Sequence, residues 1–308
     1  MRKGRIILLS DVHNWAWAKK SEQIKQYLSD EFDFDIVHLL TQPKTVRYDD
    51  YDLALTYGWS YVNNILKVAE NRRISGVTAH KDEKIMTNTI YPSLRRCKWV
   101  HANSIMLKNQ LDANGFKNVF YVPNGVNENL FKETVPIPES RDRLVVGHVG
   151  KKCGHGTNAK GHKTVIEPAC AQAGVKYCGH YNNYRNAIPH EQMPQFYQNI
   201  DVFIVASTTD GTPNGALEAA ACGRPIISNH IGNMPEFIKD GYNGFLINGL
   251  DIGKYVEKIK ILESDRKLLI EMGKNARKTV ESGWTWKIQA ENYRKMFQNI
   301  IATVGLRN

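Results

Sequence analysis

Nowhere in its 308 residues does the sequence hold an apolar run near the roughly 18 residues that a membrane-spanning helix needs. Cysteine is scarce as well. The five, Cys97, Cys153, Cys170, Cys178 and Cys222, are odd in number and scattered, which excludes a disulfide framework and points to reduced thiols in a cytoplasmic protein. No His-x-x-His or Cys-x-x-Cys spacing occurs, so no bound catalytic metal is expected. A dinucleotide fingerprint is missing too: "GHVGKKCGHG" is rich in glycine but wrongly spaced, and no acidic residue follows it where a nicotinamide ribose would need one. There is neither an internal repeat nor a low-complexity tract. The opening "MRKGRIILLSDVHN" has only five or six apolar residues before Asp11 and His13 interrupt it, and reads as a first strand rather than a signal peptide.

What is present is a basic chain of ordinary apolar content, 42% hydrophobic with a net charge of +10. Its length suggests two domains of roughly 150 residues each. The cations crowd between residues 72 and 108, where Arg72, Arg73, Lys81, Lys84, Arg95, Arg96, Lys98 and Lys108 meet only Asp82 and Glu83. That segment is either a solvated face or an attraction for an anionic partner: a membrane surface, an acidic glycan or a nucleic acid.

Short apolar runs alternate with amphipathic stretches, the signature of α/β units around parallel sheets. The strand candidates are "RIILLS", "FDIVHLL", "DLALTYG", "ISGVTAH", "KWVHANS" and "VFYVPNG", then "RLVVGHVG", "VKYCGH", "VFIVAS", "PIISNH" and "GFLIN". Helix-like segments include 60–70, 190–199, 214–222 and 251–263, and the 284–301 tail carries aromatics at helical spacing. "KETVPIPESRDR" (132–143) is the linker candidate. The expectation is two Rossmann-like domains facing a central cleft: 1–136, completed by 286–308, and 141–283. Ligands would then bind at the carboxyl ends of the strands.

The stretch "TTDGTPNGALEAAACGRPII" (208–227) puts Asp210 in a loop and Glu218 eight residues on, one to two turns into a helix. A carboxylate on that helix suits a vicinal diol such as ribose offers, and the loop one suits a hydroxyl of a second ring. The backbone N–H groups of "GTPNG" suit a phosphate or ring hydroxyls. The plainer reading is a turn-forming Asp and an exposed helix Glu, and spacing alone leaves both open.

"DGTPNGALEAAACGRPIISNHIGNMPEFIKDGYNGFLI" resembles, without gaps, the donor-site signature of retaining GT-B glycosyltransferases of the glycosyltransferase family 4 type. The resemblance implies that Asp210, Gly211, Thr212, Pro213, Asn214, Gly215 and Glu218 bind a nucleoside diphosphate sugar. Asp210 stands where the family has Glu, one methylene shorter. "VVGHVGKKCGHGTNAKGHKTVIEPA" is similar to the family's first C-terminal strand and loop, which places Gly150 in the donor site and Lys151 and Lys160 at the two diphosphate-binding cations. Lys151 replaces Arg there, keeping charge without the bidentate fork. "GVTAH" implies a donor-sugar contact for His80, "VPNGVNENLF" an interdomain hinge, and "WTWKIQAENYRKMF" a last helix crossing back onto the first domain. In "SDVHNWAW", Asp11, His13, Asn14 and Trp15 would shape an acceptor pocket, or the tryptophans pack against the next helix.

The implied activity is sugar transfer from a nucleoside diphosphate sugar, a UDP-sugar favoured, to a hydroxyl with retained configuration and no cofactor. The acceptor would be a cell-envelope glycan or lipid-linked saccharide, with the protein cytoplasmic and the inner membrane face a place where segment 72–108 could hold it. Hydroxylated DNA bases are the alternative acceptor. A GT-B-fold epimerase and a non-catalytic nucleotide-sugar-binding protein are the readings of other classes.

Overall fold

The computed structural model describes residues 2–13, 15–41, 45–151, 159–182 and 188–307, the side chains of residues 151, 181 and 182 excepted. The chain divides into two compact units, Met1–Asn124 with Trp286–Asn308, and Gly125–Thr285.

The first unit is built on six strands: β1 (Gly4–Ser10), β2 (Phe32–His38), β3 (Leu53–Thr56), β4 (Arg73–Val77), β5 (Trp99–Ala102) and β6 (Val119–Tyr121). Every pairing is parallel and the order is β2-β1-β3-β4-β5-β6. The apolar run of β1 shows why. Ile6 and Leu8 enter one core and Ile7 and Leu9 the other, so both faces of the sheet are covered. Helix Ala16–Leu28 covers one face together with the last helix, Trp286–Val304. The latter buries Trp286, Ala290, Tyr293, Met296, Phe297 and Ile300, a stripe at three- and four-residue spacing. Phe297 meets Phe32 and Phe34 with ring centres 5.6 and 5.9 Å away.

The second unit carries β7 (Val145–Lys151), β8 (Lys176–Asn182), β9 (Val202–Val205), β10 (Ile226–Asn229) and β11 (Gly244–Ile247), again all parallel, in the order β11-β10-β9-β7-β8. β9 repeats the pattern of β1: Phe203 and Val205 face one core, Val202 and Ile204 the other. In both sheets the first strand of the unit sits between its second and third. Chain connections leave in opposite directions there, which opens a crevice at the strands' carboxyl ends, between β1 and β3 and between β7 and β9.

The structure departs from the sequence reading in two places. Segment 132–143 is not a free linker. Ile137 is buried in the second unit's core, Arg141 pairs with Asp201 at 3.1 Å, and Arg224 donates to the Val135 carbonyl at 2.8 Å. Val126 and Phe131 are core residues of that unit as well, so it begins near Gly125 and not after residue 136. The helix expected over 60–70 is a 3₁₀ helix, Trp59–Ile65, whose three-residue turn sets Val62 and Ile65 on one buried side.

Candidate functional site

The crevice of the second unit is assembled by close backbone approach. After β7, Gly161 adopts a left-handed conformation (φ +68°), and a Cβ there would stand 2.2 Å from the Ala206 carbonyl oxygen at the end of β9. Only glycine allows that contact. The Thr208 N–H donates to the Ala159 carbonyl at 2.9 Å, so the turn after β7 and the loop after β9 are tied on both sides of Lys160. Lys160 Nζ then forms an ion pair with Asp210 Oδ2, both side chains partly buried. Asp210 Oδ1 accepts from the Gly211 N–H at 3.1 Å. A partly buried pair of this kind orients its members more than it stabilises the fold.

The loop after β10 closes the other side. Asn233 N–H donates to the Gly211 carbonyl at 2.9 Å, and Gly232 (φ +54°) leaves no room for a side chain against that same carbonyl. Asn229 Nδ2 reaches the Ser207 carbonyl at 2.9 Å. Around these contacts, Ser207 Oγ, Thr212 Oγ1, Asn229 Oδ1 and both amide atoms of Asn233 are buried and, among the described residues, have no hydrogen-bond partner. Such atoms are rare in a folded interior, and here they cluster at the carboxyl ends of β9 and β10. Sequence reasoning named Thr212 and missed the other three.

Helix Asn214–Ala221 starts after Pro213 without a side-chain cap from it, and buries Ala216, Leu217, Ala219, Ala220 and Ala221. Its small side chains bring the helix close to the sheet. Glu218 is its one carboxylate, and it is partly buried. Oε2 accepts a 2.6 Å hydrogen bond from the hydroxyl of Tyr197, and Oε1 lies 3.4 Å from His190 Nε2. Neither Tyr197 nor His190 was legible as a site residue, since both come from a separate helical segment about twenty to thirty residues upstream.

On β7, His148 Nδ1–H donates to the Ile204 carbonyl at 2.7 Å, and its ring stacks on Phe203 and meets the His162 ring at 4.5 Å. Burial pushes His148 down to about 3 and His162 to about 4, so both imidazoles are neutral near pH 7. A Cβ at Gly150 would come within 2.9 Å of His148 Nε2, which explains a glycine at that point. Lys151 ends β7, with its side chain outside the described residues.

In the first unit, Asp11 and His13 lie past the end of β1. The His13 N–H donates to Thr41 Oγ1 at 2.9 Å, and its ring stands edge-on to His38 at 4.9 Å. His38, which the sequence did not single out, shares a 2.6 Å hydrogen bond with Ser10 Oγ. Asp11 Oδ1 is enclosed without a partner among the described residues. Trp15 occupies the residue before helix Ala16–Leu28 in extended conformation, and Asn14 lies outside the described residues. Trp17 packs inward on Tyr57 and Tyr61, ring centres 6.1 and 5.8 Å away. His80 follows β4 by three residues and is partly buried.

Segment 72–108 displays less free charge than its composition suggests. Arg72, Arg73 and Arg95 donate to backbone carbonyls, Arg96 to Asn63, and Lys108 pairs with Asp112. Among the described residues no group of His, Cys, Asp or Glu is placed to hold a metal ion, and no helix is long and apolar enough to cross a membrane.

Residues 180–279 match the family model described as Glycosyl transferases group 1. The chain is 29% identical to D-inositol 3-phosphate glycosyltransferase of Streptomyces bingchenggensis over 148 residues, 48% of this chain and 31% of the relative. It is 30% identical to N,N'-diacetylbacillosaminyl-diphospho-undecaprenol alpha-1,3-N-acetylgalactosaminyltransferase of Campylobacter jejuni over 139 residues, 44% and 35% of the two chains. The chain thus spans about a third of the length of these curated relatives. Among solved structures, HepE of Anabaena with UDP-glucose superposes with a TM-score of 0.71 at 16% identity, covering 97% of this chain and 99% of that one. Sucrose-phosphate synthase of Thermosynechococcus elongatus does so with 0.71 at 15% identity, covering 98% and 100%. These superpositions show the fold, two units each built on a parallel α/β sheet, as in GT-B proteins.

Proposed function

We propose, from the match of residues 180–279 to the glycosyl transferases group 1 model and the GT-B-like fold, that the chain transfers a sugar from a nucleoside diphosphate sugar, a UDP-sugar first, to a hydroxyl acceptor. The observation that carries this reading is the meeting of Lys160 with Asp210 where β7 and β9 end, ringed by buried hydroxyl and amide groups. A cation there meets the diphosphate, where negative charge grows as the glycosidic bond breaks. Glu218 holds the ribose hydroxyls. Asp210 and the backbone of residues 211–215 hold the sugar ring, and Thr212 offers it a buried hydroxyl.

Transfer proceeds with retained configuration. The acceptor oxygen bonds to the anomeric carbon on the face the diphosphate leaves, and the acceptor proton passes to the departing phosphate oxygen. UDP is favoured because structural neighbours were solved with UDP and UDP-glucose. A lipid-linked or envelope saccharide is favoured as acceptor because one relative's name specifies a diphospho-undecaprenol substrate. Asp11 and His13 are the acceptor-side candidates of the first unit.

Titration calorimetry with UDP in a chelator-containing buffer tests the donor half. Wild type binds, and Lys160→Ala binds about tenfold or more weakly, the value of a lost charge-assisted hydrogen bond. Equal binding by both proteins, or none by wild type at millimolar UDP, contradicts the assignment.

A further inference from the structure

Resting on the reading of Glu218 as a ribose ligand, we propose that Tyr197 is a positioning residue that fixes the Glu218 carboxylate so that the site discriminates ribonucleotides from 2′-deoxyribonucleotides. The Glu218 side chain rises from a helix whose next residues, Ala219, Ala220 and Ala221, carry no polar side chain to hold its carboxylate. The constraint comes from elsewhere. Tyr197, in helix Met193–Gln198, is completely buried, and its ring is held among Phe131, Phe196 and Phe203 with centres 5.9, 5.5 and 6.0 Å away. Its backbone is held too, since Arg224 Nε donates to the Tyr197 carbonyl at 2.9 Å. The hydroxyl therefore sits at a fixed point, and from there it donates 2.6 Å to Glu218 Oε2.

Two further features fit a strut. Gly215, one turn before Glu218, faces this hydroxyl: a Cβ at that position would lie 3.3 Å from Tyr197 Oη and 3.0 Å from Phe203 Cζ. Burial, and then the charge of Glu218, raise the phenol well above its ordinary value, so the hydroxyl remains a donor at any working pH. The other carboxylate oxygen is held far more loosely. Among the described residues it is His190 that approaches it, at 3.4 Å, with its ring edge-on to Phe131 at 5.1 Å. One oxygen is thus committed and the other is open to exchange its partner for a ligand hydroxyl. A carboxylate clamped in one plane can satisfy two adjacent hydroxyls at once, whereas a freely rotating one gains little from the second.

The test uses calorimetry with whichever of UDP, GDP and ADP binds tightest, its 2′-deoxy form, and inorganic pyrophosphate. Wild type prefers the ribonucleotide by about tenfold or more. Glu218→Gln and Tyr197→Phe each shrink the preference to about threefold or less, while both keep wild-type affinity for pyrophosphate. Phenylalanine keeps the ring and its aromatic neighbours, so loss of the hydroxyl is the change being read. A Tyr197→Phe protein that discriminates like wild type while Glu218→Gln does not overturns the strut. Loss of pyrophosphate affinity together with nucleotide affinity in Tyr197→Phe overturns a specific role, because the whole site has then collapsed. Equal, absent discrimination in wild type and Glu218→Gln overturns the ribose role of Glu218 and the strut with it.

Discussion

Lys20 is almost fully enclosed in the first unit, its Nζ 5.1 Å from the centre of the Tyr57 ring and 5.3 Å from that of Tyr293. Two aromatic faces attract the ammonium by about 2 kcal/mol each at best, while taking the charge out of water costs several. Desolvation wins, and burial lowers Lys20 from its ordinary 10.5 to about 7. The folded protein therefore gives up this proton more readily than the unfolded chain. Between pH 7 and about 10 the unfolded state binds the extra proton, so this residue's contribution to stability increases with pH and is lost as pH falls through 7. The raised hydroxyls of Tyr57 and Tyr293 act in the opposite sense only as the unfolded tyrosines begin to ionise, near pH 10. Denaturant melts of wild type and Lys20→Met at pH 7, 8 and 9 isolate the effect. The stability difference between the two proteins changes across these pH values in favour of wild type; a constant difference removes the account. At the site itself the residue lesson is one of neighbours: Lys160, Asp210 and Glu218 are legible from the sequence, but what restrains each is not.

Among secondary-structure elements, the turn after β7 is the most sharply specified. Gly161 and Gly174 both have positive φ, +68° and +75°, yet a Cβ at Gly174 meets nothing within 4 Å while one at Gly161 collides with Ala206. Gly174→Ala should thus cost only the conformational strain, about 1 kcal/mol and a Tm loss of about 2–4 °C. Gly161→Ala adds a backbone clash, should lower Tm by more than that, and should weaken UDP as well because Lys160 is carried on this turn. A Gly161→Ala protein as stable and as tight for UDP as Gly174→Ala would mean the turn does not hold the site. Strands such as "RIILLS" and "VFIVAS" were legible because both sheet faces are buried, which leaves an unbroken apolar run with glycine or polar residues at its ends. Segment 60–70 reads as helix-like and folds as the 3₁₀ helix Trp59–Ile65, because its apolar spacing fits three residues per turn as well as 3.6. The 132–143 segment looked like a linker because prolines and charges hide the one buried Ile137 and the arginine contacts that strap it down. His190 and Tyr197 escaped for a different reason: their meeting with Glu218 is a tertiary contact between separate helices, and no local pattern encodes it.

At the scale of the whole molecule, two units repeat one strand order, and each carries buried polar atoms without a partner among the described residues at or past its strands' carboxyl ends: Asp11 after β1 in one, the Ser207–Asn233 group at the ends of β9 and β10 in the other. The chain path is not simply halved, because the last helix, Trp286–Val304, belongs to the first unit's core. The net charge of +10 is spread differently from what composition implied, with the arginines of 72–108 spent largely on carbonyls of the first unit. Charge is therefore a poor guide to this protein's partner, and the polar crevice of the second unit a better one. The central claim is that this crevice binds and activates a nucleotide sugar for transfer. The most direct measurement is release of nucleoside diphosphate from a panel of UDP-, GDP-, ADP- and dTDP-sugars, with and without glycan and lipid-linked acceptors, by wild type and by a Lys160→Ala, Glu218→Gln double variant. The account predicts release from at least one UDP-sugar that rises when a hydroxyl acceptor is added and falls by about a hundredfold or more in the double variant, as two transition-state contacts are removed. Release no greater than that of the double variant, across every nucleotide sugar and acceptor, would contradict it.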